Sequence, residues 1–269
     1  MWDNQKTGSV ISGAHPSCHM KIAMAGVLAM SVMLGIPEGA SSSPAGDIKK
    51  AGENSQSVFV LVTDKTAVGT ENARKIIKEA RGKAGKKKAV FVELDRDNSS
   101  NRELVDKYGL SGAPVPLILV MAPNGAIAGG MPSSRASSDL LVRMVPTPKK
   151  AEILGILQSG KAVCLNVAMK DDPGVADTRE AFGKAREKMN GKLGSVYLDK
   201  ADPAEVPFLA ELRIDRNTAE QVTIVINAAG QMTGGFRGPA DADAIVAAAN
   251  KKGGGGCCPA GSKKSCAVK

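Results

Sequence analysis

Apolar and polar positions fall into the same order twice along the chain. A first apolar run at Val58–Val62 is followed by a helix at Glu71–Arg81, a second run at Ala89–Leu94, a short helix at Asn101–Tyr108 and a third run at Leu117–Met121. The second series reads Ala162–Val167, Thr178–Met189, Ser195–Leu198, Pro203–Leu212 and Val222–Ile226. Each third run leads into a turn (Asn124-Gly125 or Ala229-Gly230), a short fourth strand ending in a glycine pair, and a last helix, Ser137–Val145 or Asp241–Asn250. A shift of 105 residues carries Gly125, Gly129 and Gly130 onto Gly230, Gly234 and Gly235, and a shift of 104 carries Leu94-Asp95 onto Leu198-Asp199. Continuous Val/Ile/Leu runs are expected of strands covered by helices on both faces. The alternation is that of an α/β fold with a hairpin closing one edge of the sheet. Asn-Gly predicts a turn with positive φ at both central positions. Asp202 before Pro203, and Asp241, are expected helix N-caps. Pro146-Thr147-Pro148 marks the boundary between the copies, and Lys149–Gln158 reads as an amphipathic helix opening the second.

Ahead of the first copy lies a different pattern. Residues 22–36, IAMAGVLAMSVMLGI, are unbroken apolar sequence preceded by Lys21 and ended by Pro37, and a small polar stretch follows. That order is the order of a secretory signal. The run is shorter than the ~20 residues of a membrane span. Cleavage is expected after Ala40 or Ala45. The nineteen residues before Met20 are long for the leading segment of a signal; a start at Met20 accounts for them, with an uncleaved signal-anchor as the alternative. The expected location is periplasmic or secreted, with no stable membrane span after cleavage.

The formal net charge is +9 over 269 residues. The segment 251–269 holds five lysines and no acid, while charges of both signs are interspersed through the copies. The basicity therefore predicts a solvated, solubilising end, or weak contact with an anionic surface, rather than a basic binding face. Aromatic residues make up 3% of the chain, too few for a base-stacking nucleic-acid platform, so no specific nucleic-acid partner is expected. Both histidines, His15 and His19, precede the copies. A Ser-His-Asp triad or a His-ligated metal core in the folded part is thereby excluded.

The stretch Tyr108-Gly109-Leu110, then Val115-Pro116-Leu117-Ile118-Leu119-Val120, then Pro123-Asn124-Gly125 resembles the thioredoxin-like superfamily, as does the β-α-β-α-β-β-α order of each copy. The resemblance covers about 200 residues and is weaker in the second copy. It implies two tandem thioredoxin-like domains, each a central mixed sheet flanked by helices. The expected divisions are a leader at 1–45, domains at 46–147 and 148–250, and a Lys/Cys-rich tail at 251–269. It also implies a cis-proline opening the third strand, at Pro116 or alternatively Pro114. Two residues are inserted between Gly109 and Pro116 relative to the family pattern. The redox chemistry of that superfamily needs Cys-x-x-Cys at a helix N-terminus, where the first thiol's pKa is lowered. The corresponding stretches here, Thr63–Thr70 and Met169–Gly174, contain no cysteine, and Gln221 stands where Pro116 stands in the first copy. Both copies therefore read as lacking the redox site. The expected role is a non-catalytic binding or accessory module for an envelope protein or peptide, with Val115, Pro116 and Thr66 as the contact surface and strand addition as the mode.

Cysteines supply the competing reading. Cys164 sits inside an apolar strand and reads as a buried, inert thiol. Cys257, Cys258 and Cys266 follow four glycines in a lysine-rich segment. They could form a disulfide, hold a soft ion such as Cu(I) or Zn(II), exchange disulfides with a partner, or do nothing specific. The acidic stretches Asp95-Arg96-Asp97 and Asp171-Asp172 read as solvated loop charge, with a divalent cation as the alternative. Lys83–Lys88 reads as a solvated basic loop.

Overall fold

The computed structural model describes residues 43–252; residues 1–42, with the apolar run of the expected leader, and the tail cysteines lie outside the described residues. Helix α1 (Pro44–Glu53) opens the first domain. Ser43 caps it by accepting from the Gly46 amide, and Pro44 occupies the first turn. Strand β1 (Ser57–Thr63) is buried along its whole length. Helix α2 (Thr70–Ala84), strand β2 (Ala89–Asp95), a 3-10 turn at Ser99–Asn101 and helix α3 (Arg102–Lys107) follow. Strands β3 (Leu117–Met121) and β4 (Ile127–Pro132), a 3-10 turn at Ser133–Arg135 and helix α4 (Ser138–Met144) complete the first series. The second series is α5 (Pro148–Gln158), β5 (Ala162–Ala168), α6 (Gly174–Lys188), β6 (Leu193–Asp199), a 3-10 turn (Pro203–Glu205), α7 (Val206–Glu211), β7 (Val222–Ile226), β8 (Met232–Arg237) and α8 (Ala242–Asn250). Each helix and strand starts 104 or 105 residues after its counterpart, so the duplication extends through the whole described region.

The sheet orders are β2-β1-β3-β4 and β6-β5-β7-β8. In each, the central strand pairs parallel with its second strand and antiparallel with its third. Helices cover both faces, which is why the central strands carry no alternation. On one face of the first sheet Phe59, Leu61, Ile118 and Val120 pack against Ala73, Ile77 and Ala80 of α2 and Leu141 of α4. On the other, Val58, Val60, Val62 and Leu94 meet Leu104 and Val105 of α3 and Ala51 of α1. The layout is α/β, in two tandem thioredoxin-like domains.

Several local expectations change. The Asn124-Gly125 turn carries positive φ only at Gly125, +80°. Asn124 stays in the ordinary region because its side chain shapes the turn, Oδ1 accepting from the Ala126 amide. The glycine pairs lie within β4 and β8 rather than at their ends. At Gly234 a Cβ would stand 2.8 Å from the Cβ of Ala248, so the missing side chain lets α8 approach the sheet. Lys83 belongs to α2 and bonds Asp139 and Ser138 at 2.8 Å each. Helix α1, which the sequence reading lacked, takes in Pro44 and Ala45.

Helix α5 is apolar on two sides rather than one. Ala151 and Leu154 pack on Ala122 and Ala126 of the first hairpin. Ile153, Ile156 and Leu157 enter the core of the second domain. Asn124 Nδ2 donates to the Ala151 carbonyl at 2.7 Å, and the Gln158 amide accepts from Ile127 N and donates to Ile127 O, in the manner of a neighbouring strand. Buried Glu205 accepts from the Lys149 amide at 2.8 Å in the first turn of α5.

Candidate functional site

Strand register brings the loop after β1 and the start of β3 to one end of the first sheet, with Val62 opposite Leu117. The Val115-Pro116 peptide bond is cis, as the resemblance implied for Pro116. Pro116 itself is buried and its carbonyl accepts from Ser133 N at 2.9 Å. Val115 is half-buried against the core beneath α3. Thr66 is exposed in the loop. Of the three sequence-derived contact residues, then, Thr66 is exposed, Val115 is half-buried and Pro116 is buried.

What joins them is a pair of residues that the sequence reading left among solvated loop charge or did not single out. Asp64 Oδ1 accepts from both the amide and the hydroxyl of Thr66, each at 2.8 Å. Its other oxygen bonds Arg96, and its side chain is 6% exposed. The Thr66 hydroxyl first, then the Thr66 amide and the Arg96 guanidinium, hold the Asp64 carboxyl below the usual carboxylate range against the opposing effect of burial. Arg96 Nη1 in turn donates to the Ala113 carbonyl at 2.7 Å, three residues before Pro116. One guanidinium thus fixes the loop after β1 and the segment leading to Pro116 relative to each other. Val68 in the same loop is 87% exposed, the most exposed large apolar side chain among the described residues.

The second domain repeats the cation without the carboxylate. Lys200, offset 104 from Arg96, donates to the Thr218 carbonyl at 3.1 Å, the Thr218 hydroxyl at 3.3 Å and the Glu220 carbonyl. Met169 stands where Asp64 stands in the first domain. A hollow of about 580 Å³ opens there, lined by Met169, Lys200, Leu209, Ile214 and Arg216 among others. The signal for these cations was visible in the sequence, as Leu-Asp-Arg and Leu-Asp-Lys at one offset. Its meaning required knowing which carbonyls lie opposite.

The remaining candidates are placed simply. Asp95 accepts from Asp97 N and Asp172 from Gly174 N, capping local turns, while Asp97 reaches across to accept from Lys65 N in the loop after β1. Among the described residues, no group of three or more His, Cys, Asp or Glu side chains could hold a metal ion. Cys164 is fully buried in β5, and burial pushes its thiol up to about 12. No helix among the described residues is long and apolar enough to cross a membrane.

No family model matches the sequence, and neither does any curated protein. Among solved structures, the zinc-bound form of human ERp44 is 13% identical over 76% of this chain and 56% of its own, with a TM-score of 0.32. The first two thioredoxin domains of Saccharomyces cerevisiae Eps1p are 11% identical over 81% and 98%, with a TM-score of 0.32. A disulphide isomerase from Xylella fastidiosa is 17% identical over 40% and 93%, with a TM-score of 0.29. The chain spans about half the length of the ERp44 structure and, at 28%, about a quarter of the ERdj5 structure it also matches. The chain's own strand order, together with the cis bond at Pro116, gives it a thioredoxin-like fold in two copies.

Proposed function

We propose that the protein is an exported, redox-inactive binding module. It keeps the thioredoxin scaffold and uses the end of the first sheet, around Thr66, Val68 and Val115, to hold an extended segment of an envelope protein or peptide. The observation that carries this reading is the Thr66–Asp64–Arg96–Ala113 chain of hydrogen bonds. It orders the loop that would otherwise carry the thiols, in a chain whose loops there contain none. An ordered loop presenting an apolar side chain loses less conformational freedom when it binds. Export is supported by the apolar run at 22–36. Cleavage after Ala40 leaves the Ser43 cap of α1 in place, whereas cleavage after Ala45 removes it.

The test pairs two measurements on the full chain. Disulfide reduction is assayed with the natural protein and with a variant carrying Cys257→Ser, Cys258→Ser and Cys266→Ser, and zinc and copper content is determined in both. Binding of a library of extended peptides is followed with Thr66→Arg and Val68→Asp as probes. The expected result is no reductase activity in either form and peptide binding lowered at least tenfold by both loop variants. Reduction or stoichiometric metal that disappears with the three cysteines would instead assign the function to the tail, as a soft-metal carrier or exchange partner.

A further inference from the structure

A cation follows β2 in the first domain and β6 in the second, and the two copies balance it differently. In the first, the Arg96 guanidinium is paired with the Asp64 carboxylate. In the second, Lys200 is 1% exposed, and every hydrogen bond of its ammonium ends on a neutral oxygen: the Thr218 carbonyl and hydroxyl and the Glu220 carbonyl. Met169, the counterpart of Asp64 at an offset of 105, brings no charge. Arg216 adds a second cation. Its Nε donates to the Lys200 carbonyl at 2.9 Å and its Nη2 to the Ala201 carbonyl at 3.2 Å. A guanidinium has five N–H donors, so one remains on Nη2 and two on Nη1. Among the described residues no carboxylate pairs with Lys200 or Arg216, although a buried charge is costly without one. Both cations border the hollow of about 580 Å³. Its other walls are largely apolar: Leu209 is buried and Ile214 half-buried, while Met169 and Val206 are 41% and 37% exposed. Asp215 also reaches the hollow, with Oδ1 accepting from the Asn217 amide of its own turn.

We infer that this hollow binds a small monocarboxylic acid with an apolar body. The carboxylate takes, from solution, the part that Asp64 plays in the first domain. It accepts from the free N–H groups of Arg216, whose planar fork suits a carboxylate. It also brings a counter-charge to Lys200, whose own three donors are already used. The apolar body lies on Leu209, Ile214, Met169 and Val206 and removes the last two from water. The volume is that of a small-molecule site, which runs to about 300–1,000 Å³. A neutral guest would leave both cations without a carboxylate, and a multiply charged one would meet Asp215 and a wall that is mostly apolar.

The experiment uses the full chain with labelled methyl groups, followed by NMR. It is titrated with octanoate, with octan-1-ol as the uncharged counterpart, and with the tripeptide acetyl-Ala-Ala-Leu, whose carboxylate ends a chain. The expected result is a saturable octanoate shift at the methyls of Met169, Leu209 and Ile214, with octanol weaker by about tenfold or more. Arg216→Gln, at an exposed position, is expected to weaken octanoate by a similar factor. Met169→Asp, which supplies the carboxylate of the first domain, is expected to abolish octanoate binding, whereas Met169→Leu retains it. Should Met169→Asp misfold, Arg216→Gln decides. No saturable octanoate shift, shifts confined to other parts of the chain, octanol binding as tightly as octanoate, or Arg216→Gln without effect overturns the proposal. A tripeptide that binds more tightly than octanoate also overturns it, in favour of a chain terminus as the guest.

Discussion

Arg96 and Asp64 show how little at one position separates a solvated charge from an organising contact. Replacing Arg96 by Met removes a partner that lowers the Asp64 pKa, so that pKa should rise toward the ordinary carboxylate range, measurable by NMR titration. A carboxylate whose folded pKa is lowered stabilises the fold above its unfolded pKa, and that contribution is lost as pH falls through the folded value. The natural protein should therefore lose this contribution over the acid range below about pH 4, and Arg96→Met should narrow that loss. An unchanged Asp64 titration in the variant would show that the guanidinium does not hold the carboxylate. Cys164 works in the opposite sense. Its folded pKa is raised to about 12, so its contribution is complete below the ordinary thiol pKa and is lost as pH rises from there toward about 12. In the native protein at pH 8 it should resist alkylation and react only after unfolding. Labelling of Cys164 itself, located by peptide mapping, at a free-thiol rate in the folded chain would contradict its burial. The sequence revealed Cys164 as an interior thiol because its neighbours along the strand are apolar. It could not reveal the Arg96 clamp, because Asp64 and Ala113 are distant in sequence and meet Arg96 only at the end of the sheet.

At the scale of elements, the runs that became β3 and β7 were legible to the residue, since a buried strand bounded by a proline or a turn has little freedom in where it ends. Helix α5 was legible as a helix but not as a bridge. Its second apolar side has meaning only when Ala122 and Ala126 of the preceding hairpin are in place. Ala126 is 4% exposed. Ala126→Asp would bury an unpaired carboxylate there and is expected to cost about 3 kcal/mol in urea unfolding; a cost near zero would mean that the hairpin and α5 part freely. Glu205 supplies a cap that no local motif announces, because it reaches Lys149 from 56 residues away. Glu205→Ala should lower stability by about 1–2 kcal/mol through loss of that cap, checked by the same unfolding curve. The missed α1 carried its own signal in Ser43-Pro44, the same N-cap and first-turn pair as Thr147-Pro148 at α5.

Across the whole molecule, α5 belongs to two cores at once, so the domains should unfold together in calorimetry, and Ala126→Asp should separate them into two transitions. Two transitions in the natural protein would show that the shared helix does not couple them. The duplication itself has not kept the copies alike. The first domain retains an apolar layer under α2 and α4 and an ordered loop after β1, while the second carries buried Asn166, Thr178 and Thr223 at the matching positions of that layer and a hollow beside Lys200. By itself the sequence determined the two-fold repeat, the α/β class and the absence of thiols from both loops, because these follow from local pattern and residue type; the family resemblance narrowed the cis-proline to Pro116 or Pro114, and the structure placed it at Pro116. Only the tertiary structure decided which faces of α5 are covered, that Pro116 is buried, what Arg96 and Lys200 hold, and that Met169, Lys200 and Arg216 line one hollow. Each of those depends on groups far apart in the chain meeting across a sheet or beneath a helix, where burial and hydrogen-bond geometry, rather than sequence spacing, set their environment.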